Sequence, residues 1–425
     1  MQRCMRWFIQ ISVLYGPIAL GMPTLHMDNG VMVYPRVLDT RKDNSTKTAL
    51  LGDGYSLSLT KASVFAEMVH LREVSEAGVT ERYAPGAEYE RYLYQDAKMK
   101  ASLLLKPQAH GHYHIVGLLN FTHLIHPITN EEKAPSGEIP HKISRIRHSE
   151  RRSDIITAST IEAFQDGPTE LNEKSLPSSF NIETYIIQDN SHTNRMKAVN
   201  LDPMDTTATL VSQNYVGLAA IVDTKLKIVD CFGKTNLLLQ KLEPPGTIVV
   251  TGIEITHRAT ETYIVRTDDN RLQAEATASK LFDYAASIPR MQRSDVVIYI
   301  TWLHMVGHGS GGGYIDIDGH TILGGACSKQ KVLIIREEPG QFSAVQATAH
   351  EVAHSLGSNH DGAGISRGCP ANENFLMYPY AFPPTTKEFS KCTKNAVARF
   401  LELDRAKCLF TDSSGHINIQ SMKTY

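Results

Sequence analysis

The stretch Thr348–Gly362, TAHEVAHSLGSNHDG, contains three histidines and one glutamate within a predicted helix and the turn that follows it. His350 and His354 are four residues apart, so their imidazoles share one helix face and can reach the same cation. The opposite face has an apolar stripe made of Val345, Val352 and Leu356. The spacing therefore predicts a helix over residues 343–356 that begins at a Ser343 N-cap and packs on the core through this stripe.

The turn after the helix completes a candidate metal site. Gly357 is suited to a left-handed C-cap, which turns the chain so that His360 becomes a third ligand. Three imidazoles leave a fourth position for water, the arrangement of a catalytic Zn²⁺ ion. Glu351 projects to another side of the helix, where we expect it to act as general base, and Asp361 is expected to orient the surrounding groups. A structural Ca²⁺ ion has no support in the sequence.

The overall composition is that of an ordinary soluble globular protein. The 425 residues have a formal net charge of −2, with 42% hydrophobic and 21% charged residues. This balance produces no field that would recruit nucleic acid or an anionic membrane, and the length indicates two domains. Beyond the N-terminal residues, no stretch approaches the apolar length of a membrane span. We therefore expect no nucleic-acid partner and no membrane span, and we also expect a monomer.

The N-terminal residues have the pattern of a secretory signal peptide. Arg3 and Arg6 precede an apolar run over residues 7–22, which is too short to span a bilayer comfortably. A buried N-terminal helix is the alternative interpretation. An entry signal without a later membrane span predicts secretion, so Asn44 and Asn120, each in an Asn-X-Ser/Thr sequon, are candidate glycosylation sites.

The six cysteines are unevenly distributed. Cys4 would leave with the signal peptide and Cys231 stands alone. The remaining four cluster in the last quarter of the chain: Cys327, Cys369, Cys392 and Cys408. In an oxidising compartment this cluster predicts two disulfides, for which the sequence alone permits three pairings, whereas four buried thiols are the alternative.

Changes in composition divide the chain into segments. These are a signal peptide over 1–22, a β-rich domain over 23–152, a polar linker over 153–176, an α/β domain over 177–412 and a polar tail over 413–425. In the β-rich domain, runs such as YSLSLT and HYHIVGLLNFTHLI alternate with turns. Arg151-Arg152 in the linker is either a processing site or a solvated charge run.

Each of the two domains has one further feature that the sequence reveals. His110, His112 and His114 would share one face of a strand, which we interpret as solvated rather than metal-binding. After Pro177, strands alternate with helices near residues 205–222, 271–287 and 343–356, which favours an α/β fold with a mixed sheet.

The segment HEVAHSLGSNHD is similar to the extended zinc signature HExxHxxGxxHD of the reprolysins, the adamalysin-like branch of the metzincin metalloproteases. FLMYP, with Met377, is similar to the Met-turn that lies beneath the zinc ion in that family. N-terminal stretches such as GYSLSLTKASVFAEMV resemble the prodomain of arthropod reprolysins, above all tick salivary metalloproteases. The resemblance implies a metzincin catalytic domain with a mixed, mostly parallel five-stranded sheet, long helices and a zinc cleft, preceded by a β-rich prodomain.

The same resemblance implies a function and further site residues. A secreted zinc endopeptidase made as a zymogen would cut extracellular protein substrates, such as host matrix or haemostatic proteins. HTILGGACS would form the edge strand on which extended substrates pair, at Gly324, Gly325 and Ala326, and PYAFPPTT would line the S1′ pocket. The family pattern also implies two disulfides, Cys327–Cys408 and Cys369–Cys392.

Two departures from the family pattern concern latency and the stretch around Cys231. No cysteine lies between the signal peptide and Asn181, so latency must use another group, with the HGHYH histidines as a speculative substitute, or steric cover. The stretch around Cys231 looks about a dozen residues longer than the family's usual connection, against typical loops of two to six residues. It is interpreted as an insertion, an intermolecular bridge or a mis-translated exon boundary, and distortion of the adjacent sheet would impair activity.

Two other functional classes compete with the protease hypothesis. A toxin-like binding protein would keep the scaffold without turnover, but its expected signature is a lost glutamate or ligand histidine. A serine hydrolase built on GHGSGGG around Ser310 lacks the GxSxG frame, and the stretch is better interpreted as a glycine-rich loop. The nearby histidines are interpreted as loop residues rather than ligands: His304, His308 and His320.

Overall fold

A computed structural model describes the chain over residues 30–39, 45–52, 54–128, 131–146, 154–157, 176–198, 231–309, 311–338, 342–379 and 387–410. Several predictions from the sequence fall outside these residues: the signal peptide over 1–22, the sequon residue Asn44, the dibasic Arg151-Arg152, the helix over 205–222, Ser310, residues 380–386 of PYAFPPTT, and the tail over 413–425. They stay predictions.

The N-terminal domain, meaning the described residues of 30–146, is built mainly on a nine-stranded antiparallel sheet in the order β1-β11-β10-β9-β8-β7-β4-β3-β2. Its strands are β1 Val31–Val33, β2 Arg36–Asp39, β3 Thr46–Gly52, β4 Tyr55–Lys61, β7 Leu93–Asp96, β8 Ala101–Pro107, β9 Tyr113–Leu118, β10 His123–Pro127 and β11 His141–Arg145. In β4 buried and exposed side chains alternate: Leu57 and Leu59 are fully buried, while Ser56 and Ser58 are exposed. The predicted strands in YSLSLT, ASLLLK and HYHIVGLLNFTHLI are all present.

A second sheet has eight strands in the order β12-β19-β20-β16-β13-β14-β5-β6. They are β5 Phe65–Ser75, β6 Gly78–Pro85, β12 Asp154–Thr157, β13 Phe180–Gln188, β14 Gly246–Thr256, β16 Val296–Thr301, β19 Gly319–Ile322 and β20 Val332–Arg336. Strands β20, β16, β13 and β14 are parallel neighbours, and β19 runs antiparallel to β20. The continuous Val and Ile runs of β16 and β20 are buried along their whole length, as expected for strands covered on both faces.

The second sheet is larger than the five strands predicted for it. Strands β19, β20, β16, β13 and β14 correspond to the prediction, and further strands extend both edges. The hairpin β5–β6 adds to β14, with β5 parallel to β14, and the linker strand β12 adds to β19, also in parallel. Backbone pairing therefore crosses the boundary that the sequence placed at residue 152.

A small third sheet contains the glycine-rich stretch. It consists of β15 Leu272–Gln273, β17 Met305–His308 and β18 Tyr314–Ile317. The loop between β17 and β18 is closed by the Gly309 N–H, which donates to the Gly313 carbonyl at 2.8 Å. The described glycines Gly309 and Gly311–Gly313 therefore lie in a hairpin loop, as the sequence indicated, whereas Gly307 and His308 end β17.

The helices are α1 Ala87–Glu90, α2 Asn190–Ala198, α3 over 231–239, α4 Ala274–Ser287, α5 Pro289–Arg293, α6 Ala344–Ser355 and α7 Lys391–Leu401. Helix α6 matches the helix predicted over 343–356. Ser343 occupies its N-cap position, but its hydroxyl accepts from the Glu338 N–H at 2.8 Å instead of capping the helix. The N-capping role assigned to Ser343 is therefore wrong, because a neighbouring loop takes up the hydroxyl.

No helix among the described residues is long and apolar enough to cross a membrane.

Two local predictions are corrected by the backbone. Residues 109–111 form a 3₁₀ turn in which His110 has a φ of +60°, so only His114 lies in β9, and it is buried. The three histidines therefore do not share a solvated strand face. Cys231 lies on the buried helix α3, and β14 still pairs with β13 along its length with one register shift. The stretch around Cys231 consequently leaves the sheet intact.

Candidate functional site

Helix α6 places two of the candidate ligands at the centre of the C-terminal domain. Its apolar stripe, Val345, Val352 and Leu356, is fully buried in the core, as predicted. The helix packs against β19 and β20. His354 is fully buried and His350 is 5% exposed. The amphipathic pattern of the sequence thus fixes which helix face forms the site.

The three histidine side chains converge on one point. The Nε2 atom of His350 lies 3.0 Å from that of His354 and 3.2 Å from that of His360. Tetrahedral zinc with Zn–N bonds of about 2.05 Å requires nitrogen separations of about 3.3 Å. The Nε2 atoms therefore already have the spacing of a zinc ligand set, and within the described residues these histidines form a cluster at metal-binding distance.

Backbone carbonyls fix the tautomer of two of these rings. His350 Nδ1 lies 2.8 Å from the Leu376 carbonyl, and His354 Nδ1 lies 2.6 Å from the Ser358 carbonyl. Because a carbonyl oxygen can only accept, each Nδ1 carries the proton and donates it. Each Nε2 lone pair is thus directed toward the shared point, which is the neutral form that zinc binds.

The turn after α6 is made by Gly357. Its φ is +89°, in the left-handed region predicted for it, and its N–H donates to the His354 carbonyl at 2.9 Å. The Ser358 N–H donates to the Ala353 carbonyl at 3.0 Å, which closes the helix end. These bonds reverse the chain, and His360 is brought back to the two helical ligands.

Glu351 lies beside the ligands and is 1% exposed. Its carboxylate faces the backbone of Gly319, the first residue of β19: a Cβ atom at position 319 would lie 2.0 Å from Glu351 Oε1. The absence of a side chain at Gly319 is therefore what makes room for the carboxylate. Reasoning from the sequence missed Gly319, and the only local signal was the Asp318-Gly319 pair before a predicted strand.

Met377 and Asp361 support the site from beneath. Met377 is fully buried, and its carbonyl accepts from the Asp361 N–H at 3.0 Å. The Asp361 carboxylate accepts from the Ser390 hydroxyl at 2.6 Å, and burial raises the pKa of Asp361 above its usual value. The adjacent Leu376 carbonyl is the one that orients His350. Asp361 thus ties the His360 turn to the Met377 segment and to the start of α7.

Both disulfides implied by the family pattern are present. Cys327–Cys408 joins the turn after β19 to the end of the described chain, and Cys369–Cys392 joins the loop after His360 to α7. The second spans 23 residues, a constraint worth about 3 kcal/mol in the chain-entropy model. Cys231 is buried and belongs to neither disulfide.

The edge strand lies earlier in the sequence than predicted. Strand β19 comprises Gly319–Ile322, whereas the predicted residues Gly324, Gly325 and Ala326 form the turn after it. Gly324 has a φ of +68°, and its N–H donates to the His354 carbonyl at 2.9 Å. Ala326 donates likewise to the Ser355 carbonyl at 3.1 Å. The prediction was wrong because these residues anchor the end of α6 instead of continuing the strand.

Of the histidines interpreted as loop residues, only His304 lies in a loop, because His308 ends β17 and His320 lies in β19. His308 is paired with Glu275 at 3.4 Å, and within the described residues neither it, His304 nor His320 belongs to a metal-binding group. The other group at metal-binding distance, Asp295 with Cys327 and Cys408, contains a disulfide. Asn120 lies in the turn between β9 and β10, where its Oδ1 accepts from the Thr122 N–H at 2.8 Å.

Comparison with known proteins gives a family match over residues 213–412, to the family described as reprolysin (M12B) family zinc metalloprotease. A human protein, a disintegrin and metalloproteinase with thrombospondin motifs 13, is 33% identical over 28% of the chain and 8% of its own length. The venom metalloproteinase BumaMPs1 of Olivierus martensii is 22% identical over 73% of the chain and 74% of its own length.

The chain thus spans less than a tenth of the human relative and about three quarters of the venom protein. Among solved structures, the archaemetzincin of Methanopyrus kandleri is 11% identical, with a TM-score of 0.30 over 52% of the chain and 97% of its own length. A TM-score this low does not establish a shared fold. A particular closeness to tick salivary enzymes stays a prediction.

Proposed function

We propose, from the premise that this chain belongs to the reprolysin (M12B) family of zinc metalloproteases, that it is a secreted endopeptidase that hydrolyses peptide bonds of extracellular proteins. The observation that carries the proposal is the convergence of three Nε2 atoms at 3.0 and 3.2 Å, with the buried Glu351 following His350 on the same helix. This arrangement combines a zinc ligand set with a general base.

The candidate site residues have separate roles in the proposed hydrolysis. His350, His354 and His360 would hold the ion through Nε2, and the Nδ1–H bonds of the two helical rings keep those nitrogens in place. A bound zinc ion would polarise the substrate carbonyl and lower the pKa of water. The Glu351 carboxylate accepts a proton from the attacking water and then delivers it to the nitrogen of the leaving amine. Its close contact with the backbone at Gly319 limits where this carboxylate can lie.

The substrate would be an extended peptide that pairs with β19. Edge pairing supplies affinity through the main chain and leaves the choice of substrate to side-chain pockets. By resemblance, host matrix or haemostatic proteins are the expected substrates, and residues 380–386 would contribute the S1′ wall.

Synthesis as a zymogen is part of the proposal. The chain has no cysteine between residues 30 and 176, so a thiolate cannot block the metal from this region. The linker strand β12 instead pairs with β19 over its full length, with Asp154 opposite Gly319 and Thr157 opposite Ile322. This pairing supports latency by steric cover of the substrate edge, to be relieved by cleavage in the linker near Arg151-Arg152.

The test uses the full chain with an engineered protease site in the linker. After cleavage, casein hydrolysis is measured with and without a zinc chelator, beside the Glu351→Ala variant. We expect one zinc per chain, chelator-sensitive hydrolysis in the wild type and none in the variant. One bound zinc without chelator-sensitive hydrolysis would contradict the enzyme proposal and favour a toxin-like binding protein on the same scaffold.

A further inference from the structure

The hairpin β5–β6 is a structural part of the sheet that carries the metal site. Strand β5 pairs with β14 from Phe65 opposite Val250 to Val74 opposite Thr256. Beyond the strand, the Val250 N–H donates to the Val64 carbonyl at 2.8 Å. Without the hairpin, the donors and acceptors on this side of β14 would form an open edge next to the central strand β13, a template for aggregation.

A buried ion pair fastens the hairpin to the sheet. Arg72 of β5 is bonded to the carboxylate of Glu254 of β14, which is 0% exposed. Arg72 also donates to Glu81 at 2.7 Å and to the Tyr284 hydroxyl at 2.8 Å, and that hydroxyl donates to Glu254 at 2.7 Å. Loss of Arg72 would leave a buried carboxylate without its cation, which is strongly unfavourable.

A second contact lies on the other side of the N-terminal domain. Helix α3 approaches β7 and β8 so closely that a Cβ at Gly233 would lie 2.9 Å from Gln95 Nε2 and 3.1 Å from Ser102 Oγ. The Lys234 ammonium lies 4.4 Å from the centroid of the Phe121 ring. On its opposite side, α3 reaches the metal-site helix, where the Thr235 hydroxyl lies 3.4 Å from the Val345 carbonyl.

One hydrophobic core therefore spans both halves of the chain. It contains Phe65, Leu93 and Phe121 from the N-terminal domain together with Phe232, Ile248 and Leu356 from the C-terminal one. Domains that move independently of each other meet through smaller and more polar surfaces. The N-terminal domain instead shares a hydrophobic core and a buried ion pair with the C-terminal domain, so it is attached by more than contacts at the substrate cleft.

We infer that the N-terminal domain is a permanent, noncovalently bound subunit of the enzyme. Cleavage on either side of β12 leaves this four-residue strand anchored at one end only, so that it can leave β19 and open the substrate edge, while the β5–β6 hairpin and the α3 contact keep residues 30–146 attached. Both disulfides lie within the C-terminal part, so the attachment is noncovalent. The step in which cleavage opens the edge rests on the proposed function; the retention does not.

The experiment uses the full chain with Glu351→Ala, to prevent self-cleavage, and a specific protease site inserted between residues 158 and 175. After complete cleavage, size-exclusion chromatography and mass spectrometry follow the two fragments under native conditions on serial dilution. We expect co-elution at micromolar concentration, with separation only on much greater dilution or in denaturant. Fragments that separate as folded species in native buffer would overturn the inference.

Matched variants test the stated contacts. Arg72→Met in the cleaved chain should raise the concentration at which the fragments separate by on the order of 100-fold or more. Arg36→Met removes an arginine that is 65% exposed and paired with Glu138, and should change that concentration by less than about fivefold. Equal effects of the two variants would contradict the interface described. If Arg72→Met does not fold, retention in the cleaved parent chain still decides the question.

Activity separates this inference from the proposed function. A cleaved wild-type chain that retains both fragments and hydrolyses casein supports both statements. Retained fragments with bound zinc but no hydrolysis would contradict the proposed function and leave the retention standing.

Discussion

The carboxylate of Glu351 occupies the space in which any side chain at Gly319 would begin. A Cβ atom there would lie 2.0 Å from Oε1 and 2.7 Å from the carboxyl carbon, distances that real contacts never reach. Because Gly319 starts β19 and Glu351 lies on the helix that carries His350 and His354, this contact sets the distance between the proposed general base and the strand proposed to pair with substrate.

Gly319→Ala should therefore lower kcat by about 100-fold or more, the range in which general-base catalysis contributes, because the added methyl displaces the Glu351 carboxylate. Zinc content measured by elemental analysis should stay at one per chain. Gly313→Ala is the matched control, since a Cβ at Gly313 meets no atom within 4 Å. Wild-type kcat in Gly319→Ala would show that the carboxylate tolerates displacement.

The variants Glu351→Gln and His354→Ala should distinguish the loss of the general base from the loss of a metal ligand. Glu351→Gln keeps the side-chain volume but cannot accept the proton, so we expect full zinc content and a loss of about 10² to 10⁴ in kcat. His354→Ala removes a buried ligand and should lose the zinc and lower the melting temperature, since a metal that binds only the folded state stabilises it. Zinc titration and thermal melts of both variants check this; zinc binding of wild-type affinity in His354→Ala would argue against the ligand set.

Gly357→Ala should weaken the site through the backbone. The left-handed conformation at a φ of +89° costs a residue with a side chain about 1–2 kcal/mol, which displaces the turn that carries His360. We expect roughly tenfold weaker zinc binding, measured by competition with a chromogenic chelator. Gly357→Asn should be less harmful, because asparagine tolerates this region better, and equal zinc affinities in all three proteins would contradict the role of the turn.

We expect ionisation of the buried Asp295 carboxyl to make the free energy of unfolding depend on pH. Burial raises the pKa of its carboxyl to about 8, even though the Glu183 N–H donates to it at 2.8 Å. The pKa of Asp295 is higher in the folded protein than in the unfolded chain, so the protonated carboxyl stabilises the folded state. This stabilisation is complete below about pH 4 and is lost as pH rises through about 8. The melting temperature of the zinc-loaded Glu351→Ala chain should therefore fall between pH 6 and pH 9.

The matched variant for this prediction is Asp295→Asn, which keeps an oxygen to accept from the Glu183 N–H but has no charge to bury. Its melting temperature should fall less over the same range in a buffer without added divalent cations. Parallel curves for the two proteins would show that Asp295 does not titrate in this window.

Local patterns account for the structural features that were predicted correctly around the candidate metal site. The four-residue spacing of His350 and His354, the apolar stripe on the opposite face and the glycine at 357 act within one helix and its cap, so short-range geometry specifies them. The strands β13, β14, β16 and β20 were likewise visible as buried apolar runs.

The predictions that failed depended on hydrogen bonds to residues outside the predicted element. Ser343 has the composition of an N-cap, yet its hydroxyl is taken by the Glu338 N–H. Gly324 to Ala326 continue an apolar run, yet hydrogen bonds to the end of α6 turn them away from β19. The partner of Ser343 lies only five residues away, in the preceding loop, whereas the partners of Gly324 and Ala326 lie about 30 residues away, outside any short window of sequence.

The sequence by itself indicated the candidate metal ligands, the candidate general base and the α/β class of the C-terminal fold, because each follows from a pattern within a short stretch of sequence. Only the tertiary structure decided that Gly319 makes room for Glu351, that the linker strand β12 covers β19, and that β5–β6 completes the catalytic sheet. These relationships join segments tens to hundreds of residues apart, for example Arg72 and Glu254. Their physical basis is burial and backbone pairing across the whole core, which exists only once the chain has folded.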